Sequence, residues 1–140
     1  MSDRIIRSLF DGRLKAWATS RVPPLPIAYE DVAFTPPADG SPYLSSFLLP
    51  ANTTSDDLEG KHTAYRGVYQ VSVVTNAGEG RGGASLIADE LAALFPNNLA
   101  MAKASFTVYT RSPMSTAPAQ QGDTTTVLPL TFAYRADTTT

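Results

Sequence analysis

Two helical stretches alternate with groups of strand-like segments in the order helix, strands, helix, strands, and this order predicts an α+β fold. The first helix is marked by Ile6, Leu9, Phe10, Leu14 and Trp17, whose spacing makes one apolar stripe. The strands are marked by two-residue alternation, strongest over Tyr65–Thr75 and Thr125–Tyr134. Two amphipathic helices laid on one face of a mainly antiparallel, mixed sheet would bury all of these stripes. At 140 residues the chain is long enough for a core of its own, and residues 1–140 read as a single domain without internal repeat.

Ser2 is placed to cap the first helix, with Asp3 near its positive end. Pro23, Pro24 and Pro26 stop it, because proline lacks the amide proton and clashes with the preceding turn. A short extended piece at Ile27–Tyr29 leads into the turn-rich Thr35–Pro42. Tyr43–Leu49 reads as a strand, and Ala51–Lys61 as a solvated loop carrying Asp56, Asp57 and Glu59. After the Tyr65–Thr75 strand and the glycine-rich Asn76–Gly83 comes a second helix over Gly83–Phe95, with Ile87, Leu91, Leu94 and Phe95 on one side. Leu99–Met101 and Ala104–Arg111 are strand-like, Ser112–Asp123 is a polar loop, and Thr125–Tyr134 closes the fold. Pro129 cannot donate to a ladder and suggests an edge or a bulge. The three polar loops are expected to be mobile, and the tail from Asp137 to be frayed. Trp17, Leu91 and Phe132 are expected in the core.

Composition narrows the function. There is no cysteine, so disulfides and thiolate metal sites are excluded. The net charge is −2 and no basic run has the density of a nucleic-acid footprint. The N-terminus lacks the pattern of a signal peptide and no apolar run is long enough to span a bilayer, so the expectation is a soluble intracellular product without a membrane partner.

No motif brings a catalytic set together. Gly78-Glu-Gly-Arg-Gly-Gly83 matches the dinucleotide fingerprint between a strand and a helix, but the acid expected about twenty residues later is replaced by Lys103. The bland reading is a flexible loop. His62 is the sole histidine, with no partner set for hydrolysis or zinc. Asp56, Asp57 and Glu59 lack the spacing of a calcium loop. Tyr65, Arg66 and Tyr69 mix aromatic and basic character that would suit base stacking, although strand and core roles explain them more simply. The expectation is a protein that is not an enzyme and takes no cofactor or metal. The charged stretch has no evident core role, so Asp56, Asp57, Glu59, Lys61, His62 and Arg66 are the candidate assembly interface.

Several segments have a shared cadence: Arg13–Trp17, Val32–Leu44, Phe47–Pro50, Tyr65–Val71, Ala93–Pro96, and Gln121–Thr124 leading into Pro129–Arg135. Through them the whole chain resembles the tail terminator proteins of lambda-like long-tailed bacteriophages and prophages, a small phage-tail domain family. The resemblance implies a structural α+β subunit that is monomeric or weakly associated when free. It implies a hexameric ring on the last ring of tail-tube protein, where tube growth ends, and a surface for head-completion proteins, with DNA only passing through the lumen. The implied location is the head-proximal end of the virion tail, and the host cytoplasm during assembly. The rival readings are another ring-forming joining or tube component, or a soluble ligand-binding module using Gly78–Gly83.

Overall fold

A computed structural model describes residues 2–55, 60–78, 82–103 and 106–139, with the side chains of Ser2 and Thr139 left out of account. Helix α1 spans Ser2–Ser20 and α2 spans Gly82–Leu94. The strands are β1 (Ile27–Ala28), β2 (Tyr43–Pro50), β3 (His62–Asn76), β4 (Ala100–Lys103), β5 (Phe106–Thr110), β6 (Ser115–Thr116), β7 (Gln120–Gln121) and β8 (Thr125–Thr139). They form one curled mixed sheet in the order β1-β2-β3-β8-β5-β4, with β6 and β7 also on β8. Among the described residues only β1 and β2 pair in parallel; the other strand pairings are antiparallel. The α+β class is therefore as the sequence predicts.

Strands β3 and β8 form the spine. Their register runs unbroken from His62 opposite Thr139 to Asn76 opposite Thr125. The period of two assigns each residue to a face. Tyr69, Val71 and Val73 share one face with Phe132, Leu130 and Leu128, and all six are buried. Arg66 and Val68 share the other face with Arg135 and Ala133.

Along α1 the buried residues are Ile6, Phe10, Leu14 and Ala18, at helical intervals. The ring of Phe10 meets those of Tyr69, Phe95, Phe132 and Tyr134, with centroids 5.0–6.1 Å apart. These are tilted and edge-on contacts that suit aromatic quadrupoles. Leu91 and Phe132 are buried as expected, but Trp17 is only partly so. Ala18 completes the stripe one turn after Leu14, which leaves Trp17 on its flank beneath the Arg21 guanidinium. The two helices are tied by polar contacts as well. Arg13 Nε donates to Leu94 O at 2.7 Å, satisfying one of the carbonyls that the end of α2 leaves open. Arg21 forms an ion pair with Glu90 at 2.8 Å.

Besides the position of Trp17, the structure corrects the sequence reading in three places. Pro129 is not at an edge: it lies within β8 opposite Ser72, with β3 on one flank. Its carbonyl accepts from Ala117 N, so the missing N–H faces β6 and β7 and leaves the β3 ladder intact. The stretch Ser112–Asp123 is not wholly loop, because β6 and β7 add to β8. The tail is not frayed over Asp137–Thr139, where it pairs with Ala64, Thr63 and His62.

Candidate assembly surface

The solvent side of the β3–β8 spine holds the charged residues. In β3, the partly exposed His62, Arg66 and Val68 lie on this side together with the buried Ala64; in register order His62, Ala64, Arg66 and Val68 stand opposite Thr139, Asp137, Arg135 and Ala133 of β8. Arg66 thus stands directly across from Arg135. On the far flank of β8, Tyr109 of β5 is registered with Arg135, and Arg111 N donates to Ala133 O. Three arginines from three chain segments converge, because the long antiparallel ladder brings the start of β3 to the end of β8.

Asp137 threads this group. Arg135 Nε and Nη2 donate to Asp137 Oδ2 and Oδ1, each at 3.0 Å. His62 Nε2 lies 2.8 Å from the same Oδ1. The Arg135 hydrogen bonds hold the Asp137 carboxyl below the usual carboxylate range, and the bond with His62 adds to the effect. The chemistry displayed is recognition of a carboxylate by a guanidinium fork.

Beneath the charges lies a shallow groove of about 450 Å³ lined by Ala51, Arg66, Gly67, Val68, Arg111, Ala133, Tyr134 and Arg135. Two exposed apolar side chains, Phe47 and Leu49, stand on the same side of the sheet, registered with Gln70 and Val68. Of the residues expected at an interface, Lys61, His62 and Arg66 lie at this end of β3, with Lys61 exposed and the other two half-buried. Asp56, Asp57 and Glu59 lie outside the described residues. Arg111, Arg135, Asp137 and Tyr109 were missed, since only the strand pairing places them beside Arg66.

Other candidates fare differently. Tyr65 and Arg66 are neighbours on opposite faces, and Tyr69 is buried in the aromatic cluster, so the three do not form a base-stacking platform. Of the glycine motif, Gly78 has φ 89° and Gly82 opens α2, while Glu79–Arg81 lie outside the described residues. The helix leads from β3 to β4, which lies three places along the sheet and runs antiparallel to β3, so the parallel unit that a dinucleotide fingerprint requires is not formed. A second recess of about 420 Å³ is walled by Pro23, Pro24, Pro26, Pro37 and Pro42 together with Leu86 of α2. Among the described residues no group of three or more His, Cys, Asp or Glu could hold a metal ion, and no helix is long and apolar enough to cross a membrane.

Comparison with known proteins decides what kind of protein carries this surface. Residues 5–134 match the family model of the phage tail terminator protein. The chain belongs to the phage tail terminator family. A solved structure with 42% identity is similar along nearly the whole length, covering 97% of this chain and 96% of its own, with a TM-score of 0.83. A search of curated proteins finds no match. Tail terminators are structural proteins of the phage virion tail and work through contacts with other tail or head components.

Proposed function

We propose that this chain caps the tail tube, ends its polymerisation and presents the surface to which the head is joined. The observation that carries the reading is the family match over residues 5–134. In this reading residues 1–140 act as one domain, with both helices covering one face of the sheet. The ring contacts of Phe10 with residues of β3 and β8 support that arrangement. The opposite side, with its arginines and exposed apolar side chains, is then left for partners. The assembled form is a hexameric ring at the head-proximal end of the tail, formed from subunits in the host cytoplasm, with DNA passing through its lumen. A closed ring needs heterologous contacts, so two different faces of the subunit must match. No cofactor enters the reading, and no catalytic role.

Asp56, Asp57, Glu59, Lys61, His62 and Arg66 are proposed to take part in ring or tube contacts, where charge pairs fix register more than they add affinity. The test is complementation of a terminator-deficient phage, with tail lengths measured by electron microscopy. The wild-type chain restores tails of normal length joined to heads. The double reversal Asp56→Lys with Asp57→Lys is expected to leave the chain folded, as a thermal melt would check, yet to impair completion. Normal joined tails from the double variant would remove these residues from the interface. Spontaneous polymerisation of the purified chain into tubes would favour a tube subunit instead.

A further inference from the structure

We propose that the groove formed by Arg66, Arg111 and Arg135 docks a carboxylate-bearing segment of another tail or head protein, an assignment that rests on the tail-terminator reading for the kind of partner. Like charges directly opposite on a sheet are destabilising, yet Arg66 and Arg135 are cross-strand partners. Arg111 lies on the adjoining row, exposed, and its guanidinium makes no hydrogen bond or ion pair among the described residues. Arg66 and Arg135 are engaged within the chain as well, so Arg111 is the guanidinium that carries recognition. A guanidinium of the cluster already holds one carboxylate, that of Asp137 in the fork of Arg135 at 3.0 Å.

The floor decides between a protein and a nucleic acid. Val68 and Ala133 line it, and Leu49, 49% exposed, is registered with Val68 on the same side. A segment alternating acidic and apolar side chains matches both the arginines and this floor. A phosphate backbone would leave the apolar floor of Val68, Ala133 and Leu49 without a matching surface. Partner charge set against a desolvated apolar floor is the arrangement that gives an interface both steering and hold.

The experiment uses the full chain, labelled with nitrogen-15, and reads the arginine Nε–Hε signals. The probe is a synthetic peptide of alternating Asp and Leu. Saturable, salt-sensitive shifts at Arg111 are expected, with affinity falling about tenfold or more in Arg111→Glu, the equivalent of about 1.4 kcal/mol. A thermal melt of Arg111→Glu that matches the wild type excludes unfolding as the cause. Absence of saturable shifts overturns the assignment. So does an equal response to a short duplex DNA, which would make the groove a nucleic-acid contact. Shifts that grow with chain concentration in the absence of peptide, and vanish in Arg111→Glu, overturn it in favour of a second copy. A wild-type chain that completes tails but does not bind the peptide defeats the docking assignment alone. One that binds the peptide but does not complete tails supports the docking and defeats the terminator reading.

Discussion

Asp11 shows at the scale of one residue how burial sets a titration. It sits on α1, half-buried, and accepts a hydrogen bond of 2.5 Å from the hydroxyl of Tyr69. Burial pushes the Asp11 carboxyl above the usual carboxylate range, against the lowering effects of that hydrogen bond and of the Arg7 charge. A carboxyl whose folded pKa is raised contributes stability that is fully present below the unfolded pKa, about 3.9, and is lost as pH rises through the folded value. Asp137 has the opposite sign: its pKa is lowered, so its contribution is present above the unfolded pKa and lost as pH falls through the folded one. Asp11→Asn keeps an oxygen to accept from Tyr69 and removes the titration. It should be more stable than wild type at neutral pH, with the advantage vanishing as pH falls toward about 3.9. Urea melts of both proteins across that range check this, and an advantage that does not depend on pH would show that ionisation of Asp11 carries no cost.

At the scale of elements, β3 holds a glycine for a steric reason. A Cβ on Gly67 would come 2.5 Å from Leu49 O, 2.6 Å from Tyr134 Oη and 2.9 Å from Pro50 Cα. Two of these atoms belong to the backbone of β2 and cannot rotate away. Gly67→Ala should destabilise by about 1–3 kcal/mol, the usual cost of overpacking. Adding Tyr134→Phe should recover only part of the loss, because the backbone contacts remain; full recovery in denaturant melts would show that the hydroxyl alone sets the limit. The strands themselves were legible because their apolar residues alternate, as in Tyr69, Val71 and Val73. Strands β6 and β7 were not, because Ser115–Thr116 and Gln120–Gln121 carry no apolar period and owe their conformation to pairing with β8. The paired tail was hidden for the same reason, since Thr138 is held by its ladder partner Thr63 and not by an apolar pattern of its own. Arg66 was legible as a candidate from local charge. Arg111 and Arg135 were not, because only the register of β8 with β3 and β5 brings them near it.

At the scale of the molecule, one apolar cluster runs from Ile6 of α1 through Leu91 of α2 to Ala136 of β8. Its members come from both ends of the chain, and the spine pairs His62 with Thr139, so most of the core exists only when distant segments are together. Such non-local pairing incurs loop-closure entropy before its contacts form, which favours slow folding over milliseconds to seconds. It also opposes partial unfolding, because releasing α1 exposes Phe10 and the rings of Tyr69, Phe132 and Tyr134 that it covers. The proposal of a single domain therefore predicts one cooperative transition. Two probes sample different parts of it. Fluorescence of the sole tryptophan, Trp17, reports α1, where Arg21 lies 5.4 Å from the ring centroid. Far-ultraviolet dichroism reports both helices and the sheet. Urea titrations followed by the two signals should share one midpoint and one slope of about 1–3 kcal/mol per molar. If the tryptophan signal moved at lower urea than the dichroism, α1 would be detaching from a sheet that persists without it, and the single-domain proposal would fail.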